Sequence, residues 1–598
     1  MFAKRFPFSY LAFSILLLSA QMMFAQVTIT SVFPSQNALG ASRDTQIMAT
    51  FSNPIDLSSL NDTTVVVSGR QTGLHPGTIE YNTTTQTLTW TSETDFAVGE
   101  VVTVILTRHI KPQGAEDFKG FIWQFWIKVT KPTNAHFTLV ETLDWPEKNG
   151  GMVLADLNRD QALDLILIGD VFGTLSVWFN DSIGNFEING FYPVLEHMRH
   201  LSIGDFDRDN DLDLATPIDI GISSDPDPLL FFWNNSQGFF PDTTRMSTPI
   251  GVLAVSTIPN DLDADGMVDL IINDPNSEFT FVYKNLGKRQ FIPHGQYNTG
   301  FASGAPILGD VDLDGDLDFI ISVSGGTRAD NNFKLLLNDG EGQFESIVVV
   351  DSILIARGLA DFNADGNLDV IVQNSISDSL SVYVNNGGGE FIFTGKAKTG
   401  FDNWSYCIAD FDGDGDLDIA TAGERILSAM PVIYKGFVRF LMNDGNGNFT
   451  FSEDTVGTRT RYIDCGDIDN DGDVDIMLAE YGRPVHILLN DDKATSVADY
   501  INESPPAGFQ LLQNYPNPFN SETTIEYTVP RSSTISIKIY DITGKEVMTL
   551  FRGNTLPGQH SVKWSGSNRI GKEVSSGVYI VVMKSPKTAQ AIKILMLK

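Results

Sequence analysis

One nine-residue pattern recurs seven times in the 598-residue chain. It reads DLNRDQALD from Asp156, DFDRDNDLD from Asp205, DLDADGMVD from Asp261 and DVDLDGDLD from Asp310. It continues as DFNADGNLD from Asp361, DFDGDGDLD from Asp410 and DIDNDGDVD from Asp467. Oxygen donors stand at the first, third, fifth and ninth positions. They are Asp156, Asn158, Asp160 and Asp164; Asp205, Asp207, Asp209 and Asp213; Asp261, Asp263, Asp265 and Asp269; Asp310, Asp312, Asp314 and Asp318. The remaining three sets are Asp361, Asn363, Asp365 and Asp369; Asp410, Asp412, Asp414 and Asp418; Asp467, Asp469, Asp471 and Asp475. Spaced two apart around a turn, such groups can converge on one point. Ca2+ is a hard cation that takes six to eight oxygens at about 2.3–2.6 Å, and this donor set suits it. Mg2+ keeps more of its waters, and Zn2+ wants His or Cys. The seventh position can add a carbonyl, and Gly at the sixth permits the tight turn. One calcium ion per loop, up to seven in all, is the expectation.

The loops differ. Those from Asp310, Asp410 and Asp467 carry the full acidic set with Gly315, Gly415 and Gly472. Asn363 replaces one carboxylate in the fifth loop, and Asn210 stands at the Gly position of the second. The first departs furthest, with Asn158 and Gln161. Together the loops hold 30 of the 75 acidic residues, which localises most of the −35 net charge. Four carboxylates packed together repel by about 1 kcal/mol per close pair in water and several-fold more beside protein. A bound divalent ion reverses that sign. The ions are thus expected to be structural, stabilising the folded loops by mass action. The acidic balance argues against nucleic acid or an anionic membrane surface as partner.

The elements around the loops follow from the spacing. Successive patterns begin 49, 56, 49, 51, 49 and 57 residues apart. Each is followed by an apolar, branched run such as LDLILI or LDVIVQ. A second run ends in Asn: LSVWFN, KLLLND, RFLMND. A Gly-rich turn and a Phe come next, as in DGEGQF and DGNGNF. That is strand, acidic loop, strand, loop, strand, turn, strand, the content of one propeller blade. The seventh unit stops at HILLND without its last strand, and HFTLVET, starting at His136, matches the missing piece. A strand from in front of the first unit would then complete the last and close the ring, removing open edges. The expected fold class is all-β, a seven-bladed β-propeller over 134–491.

These repeats resemble the FG-GAP/VCBS family, whose blades also build integrin α-subunit propellers. Dockerin modules use similar loops in two copies with helices, whereas β-branched strands follow here. Thrombospondin-type calcium repeats need many cysteines, and this chain has two.

Ahead of the repeats, Lys4 and Arg5 precede an apolar run, which reads as a signal peptide over 1–25. No later stretch is long and apolar enough for a transmembrane helix. Residues 27–130 alternate over 46–51, 63–67, 87–90 and 101–107, as a β-sandwich does. VFPSQNALG, ATFSNPIDLSSL, FAVGEVVTVIL and FIWQFWI resemble an SbsA-type bacterial Ig-like domain, which implies a spacer or adhesion role. Residues 492–508 read as a polar linker. In 509–598 the motifs NYPNPFN, IKIYDITGKEV, GQHSVKW and SSGVYIVVMK resemble the type IX secretion (type A) C-terminal sorting domain, itself a β-sandwich. That resemblance implies passage through the type IX machinery, removal of this domain, and a secreted or cell-surface product.

Cys407 and Cys465 sit three and two residues before the first Asp of their loops. Strand side chains alternate, so these offsets point to opposite faces and to two separate buried residues; one bridge after export is the other possibility. No HExxH, GxSxG or Walker A sequence occurs, and the chain is expected not to be an enzyme. Binding of an extracellular protein or glycan is favoured. The alternative is a polysaccharide lyase or hydrolase on a calcium propeller. Loops at the end opposite the acidic turns, over 216–229, 323–333 and 421–437, are the candidate recognition surface. Arg328, Arg425, Tyr434, Trp404 and Tyr481 are its candidate residues.

Overall fold

The computed structural model describes residues 26–597 apart from short segments, the longest being 220–228, 248–255, 324–331 and 491–508. The signal-peptide reading, the whole of the 492–508 linker, most of the candidate loops 216–229 and 323–333 with Arg328, and the Trp404 side chain lie outside the described residues. Strands dominate throughout. One short 3-10 turn, Leu57–Ser59, interrupts them, and no described helix is long and apolar enough to cross a membrane. The chain divides into two compact units, Met1–Val497 and Ala498–Lys598.

The first unit opens with two four-stranded antiparallel sheets. One orders Ile29–Phe33, Ile47–Phe51, Thr87–Ser92 and Gly77–Asn82; the other orders Gly73–Leu74, Val65–Gly69, Val101–Leu106 and Phe121–Trp126. Alternation places Ile47, Ala49, Phe51, Leu88 and Trp90 from one sheet against Val67, Val102, Val104, Trp123 and Phe125 from the other. This face-to-face burial is what the period-two pattern requires.

Seven sheets follow, each of successive antiparallel strands. The first is typical: Asn149–Ala155, Asp164–Gly169, Thr174–Asn180 and Phe186–Pro193. In the second sheet the leading strand is split into His197–Met198 and Ser202–Gly204. The seventh takes its fourth strand from far upstream: Phe137–Asp144 pairs antiparallel with Pro484–Asn490. Second strands such as Asp164–Gly169, Asp318–Val323 and Asp475–Glu480 are buried at every residue. They read as continuous apolar runs because a neighbouring sheet covers each face. Fourth strands such as Asp242–Met246 are exposed, as sheet edges are. Hydrophobic clusters join successive sheets of the seven; Leu214 and Phe232 meet Ile166 and Val177, for example. The seventh and first sheets share one as well, through Met477, Val485 and Ile487 with Leu154, Leu165 and Trp178.

Two expectations need correction. Residues 421–437 are not a loop; most of them belong to the strands Asp418–Ala429 and Val432–Asn443, a hairpin of twelve residues per arm. Cys407 and Cys465 are joined in a disulfide, with Cα atoms 6.3 Å apart. The facing argument failed because it compared positions within one sheet. Two sheets stacked side by side meet through opposite faces, so opposite offsets bring the sulfurs together.

The second unit has a three-stranded sheet, Gln510–Leu511, Thr523–Val529 and Gly558–Trp564. A four-stranded sheet orders Glu546–Thr555, Ser533–Asp541, Gly577–Lys584 and Ala589–Met596. The recognised motifs supply its core, including Ile537, Ile539, Trp564, Tyr579 and Val581. In NYPNPFN the buried Asn514 donates to the Pro516 carbonyl (3.1 Å) and to Thr523 Oγ1 (2.8 Å).

Candidate metal centres

Every acidic loop joins the first strand of its sheet to the second, and one hydrogen-bond scheme holds all seven. The first Asp accepts the sixth residue's N–H on Oδ2, at 2.7–3.2 Å from Gln161, Asn210, Gly266, Gly315, Gly366, Gly415 and Gly472. The fifth Asp accepts the seventh residue's N–H on Oδ1. The ninth Asp accepts the second residue's N–H on Oδ2. This wrapping needs left-handed backbone at the sixth position, and also at the fourth, which the sequence reading did not single out. Gln161 (φ 68) and Asn210 (φ 73) adopt it beside Gly315 (φ 95). Two non-glycine substitutions therefore leave the turn intact, at a modest strain cost.

The third-position carboxylate is not part of that common scheme, although Asp412 Oδ1 accepts the Asp414 N–H at 3.2 Å. Oδ1 of Asp207, Asp263 and Asp312 is buried without a hydrogen-bond partner. Such orphaned oxygens are costly unless something positive meets them. Carboxylate oxygens of Asp205, Asp207 and Asp213 lie within 4.8 Å of one another, and so do those of Asp310, Asp312 and Asp318; Asp410, Asp412 and Asp418; and Asp467, Asp469 and Asp475. In the third loop the converging set is Asp261, Asp263 and Asp265. The loops at Asp156 and Asp361 have an amide oxygen at the third position; Asn158 and Asn363 each accept the N–H two residues on at 3.0 Å. Hard oxygen donors, convergence and orphaned atoms all fit Ca2+. Asp156, Asp160 and Asp164 keep the scaffold of the first loop, and Asp361, Asp365 and Asp369 that of the fifth.

Burial governs the protonation of these acids. It pushes Asp164, Asp213, Asp269 and Asp418 up to about 8, and Asp205, Asp261, Asp318 and Asp369 up to about 7. Neighbouring carboxylates add to the rise, driving Asp310 and Asp475 well above the ordinary range. Without a cation, the loops resist full ionisation.

The sequence reading noticed the Asn ending each third strand but gave it no role. Its backbone N–H donates to the ninth Asp, as in Asn338 to Asp318 Oδ1 at 2.9 Å. Its Nδ2 donates to the second-position carbonyl of the preceding sheet: Asn234 to Leu157, Asn285 to Phe206, Asn338 to Leu262, Asn385 to Val311, Asn443 to Phe362 and Asn490 to Phe411. Asn180 of the first sheet donates to Ile468 of the seventh at 2.7 Å. Each loop is thus latched to its neighbour.

The N-terminal domain and the segment after it rest on these loops. Gln36 Nε2 donates to Asp310 Oδ2 (2.7 Å), Asn37 Nδ2 to the Gly366 carbonyl, and the Ile122 N–H to the Gly315 carbonyl (2.6 Å). A Cβ at Gly315 would run into Phe121. The Arg108 N–H reaches the Ala264 carbonyl, the Thr130 and Lys131 N–H groups reach that of Gly472, and Thr133 reaches that of Asp412. Lys131 Nζ bonds Asp471 and Asp473. The Asp156 N–H donates to the Gln71 carbonyl, and Arg208 to that of Thr63.

At the other end, the long hairpin brings candidate residues together. The Arg459 guanidinium lies 4.2 Å from the Tyr434 ring centre and 4.7 Å from that of Tyr481; Arg461 lies 4.2 Å from Tyr481. Glu424 accepts from Arg459 Nε and Arg461 Nη2, each at 2.9 Å. Arg425 stacks on Phe437 instead (4.5 Å). Ile426 and Leu427, next along the hairpin, are each 58% exposed. The sequence reading missed Glu424, although it lies within 421–437, and also Arg459 and Arg461, which lie in a different stretch from Tyr434 and Tyr481.

Comparison with known families matches residues 261–321 and 361–421 to FG-GAP-like repeats, residues 25–125 to a bacterial Ig-like domain, and residues 519–589 to the FlgD Ig-like domain. A search of curated proteins finds no match.

Proposed function

We propose that this is an exported protein whose seven sheets are the blades of a closed, calcium-held β-propeller, and that it binds an extracellular protein or glycan without catalysis. The observation that carries the metal reading is the set of buried third-position oxygens lacking a partner at the point where two further carboxylates converge. Closure is supported by the latch from Asn180 to Ile468 and by the cluster shared between the first and last sheets. Calcium reaches the ligand end indirectly: bound in the acidic loops at one end of the blades, it rigidifies the scaffold that holds the hairpin at the other. There, stacked Arg and Tyr side chains beside exposed Ile426 and Leu427 offer flat apolar faces and N–H donors, the chemistry of recognition rather than of bond cleavage.

Export is supported by the disulfide and by the N-terminal apolar run. The motifs of 509–598 favour the type IX route, with that domain removed and the product secreted or held at the cell surface.

Melting the full chain in calcium and in EDTA tests the scaffold. We expect a midpoint at least several degrees higher in calcium, and an unchanged midpoint rejects the metal reading. Glycan and protein arrays probed with the native chain and with Arg459→Ala and Tyr434→Ala test the surface. A hit lost in both variants supports binding there; a hit indifferent to both moves the surface elsewhere. Turnover of polysaccharide would replace the binding reading with the enzymatic one.

A further inference from the structure

Among the described residues, the 261–269 loop has two basic side chains against its converging carboxylates, where the second loop has one, Arg289 on Asp207 Oδ2 at 2.7 Å. Lys284 Nζ contacts Asp263 Oδ2 and stands 3.1 Å from Asp265 Oδ2. Arg108 Nη2, reaching over from the N-terminal domain, is 3.2 Å from each of the same two oxygens. The Lys284 side chain is only 17% exposed, so its ammonium is committed to this pocket. Among the described residues, no basic side chain forms an ion pair with the 310–318 or 410–418 loops. Lys131 in the seventh loop takes Asp471 and Asp473, leaving the converging Asp467, Asp469 and Asp475 outside its ion pairs.

The sequence position of Lys284 sharpens the contrast. It immediately precedes the latch residue Asn285. The equivalent positions in the other six sheets hold Phe179, Trp233, Leu337, Val384, Met442 and Leu489, all apolar. One repeat in seven places a cation where the others place a hydrocarbon, beside an otherwise ordinary acidic loop. The converging set also changes there: Asp261, Asp263 and Asp265 gather, without the ninth-position Asp269.

We propose that the Lys284 ammonium, assisted by Arg108, takes the place of a divalent ion in the 261–269 loop, so that this repeat folds as a metal-free copy of the calcium sites. Two positive charges on the Oδ2 atoms of Asp263 and Asp265 would repel an entering ion, while offsetting the charge of those two carboxylates. The loop therefore stays neutralised when calcium is scarce, and Arg108 ties the N-terminal domain to it at any calcium level. The inference rests on the calcium reading of the other loops for its meaning, yet its test is separate.

Bound calcium is counted by elemental analysis after equilibrium dialysis of the full chain, in the native form and as Lys284→Leu. Leu is the residue type at this position in the fourth and seventh sheets. The variant is expected to bind one ion more than the native chain; equal counts overturn the proposal. Should Lys284→Leu not fold, Leu337→Lys provides the reverse test: it must bind one ion fewer than the native chain, and an unchanged count overturns the proposal. A native chain with no bound calcium defeats the calcium reading of the other loops, while the difference between native and Lys284→Leu still decides this one.

Discussion

At the scale of single residues, the most instructive side chain is the Asn that closes each third strand. Asn338 serves three masters at once. Its N–H fixes Asp318, its Nδ2 joins the Leu262 and Leu317 carbonyls, and its Oδ1 accepts the Gly342 N–H of the following turn. Carboxylate, turn and neighbouring sheet are thereby held by one amide, buried where water cannot replace it. Asn338→Ala is expected to destabilise the chain by about 1–3 kcal/mol, since two buried carbonyls lose a donor. Equilibrium denaturation in urea measures this, and a loss within experimental error of zero would show that water takes over the bonds. The recurrence of Asn was plain in the sequence. Its partner was not, because the carbonyl it seeks lies in the acidic loop of the preceding sheet, 76 residues away for Asn338 and 288 for Asn180.

At the scale of elements, alternation and length were legible wherever one sheet face met one core. The four strands of the N-terminal sandwich that the alternation placed, over 46–51, 63–67, 87–90 and 101–107, fall within two residues of the observed Ile47–Phe51, Val65–Gly69, Thr87–Ser92 and Val101–Leu106. The reading failed where a neighbouring element changes the rule. The 421–437 segment contains Gly423, Gly436 and Pro431, ordinary loop residues, yet the strands run on through both glycines. Pairing of Gly423 with Phe437 and Glu424 with Gly436 continues the ladder, and salt bridges from Arg459 and Arg461 brace it through Glu424. The disulfide is an element-scale device too: it staples the leading strands of the sixth and seventh sheets, at a sequence separation of 58. Loop-closure entropy at that length sets an upper contribution of about 4 kcal/mol. Cys407→Ala, or reduction of the native chain, is expected to lower the melting midpoint accordingly. A midpoint that ignores the reductant, with the thiols shown to be free, would mean that packing alone holds the two strands together.

At the scale of the whole first unit, the N-terminal domain is docked on the acidic loops. Backbone and side-chain bonds link it, or the segment that follows it, to each of the seven acidic loops. Loop charge and domain docking are therefore coupled. With ions bound, the loops present neutralised carbonyls and turns to the domain; without them, clustered carboxylates repel one another beneath it. Limited proteolysis provides the check. Cleavage between the domain and the first sheet, within 127–136, is expected to be several-fold faster in EDTA than in calcium. Equal rates would mean that the docking is indifferent to the ions.

The sequence by itself determined the acidic loops, the strands that flank them and the repeat that orders the sheets, because each is set by contacts a few residues apart: turn hydrogen bonds, alternation, the reach of a carboxylate. It also pointed to the strand before the first repeat as the piece missing from the last. Only the tertiary structure decided which sheet each Asn latches, that two cysteines of opposite offset meet, that the N-terminal domain sits over the loops, and that Lys284 lies among the carboxylates of one loop. Those facts depend on how sheets stack face to face, a geometry that links residues hundreds of positions apart and leaves no local period to read.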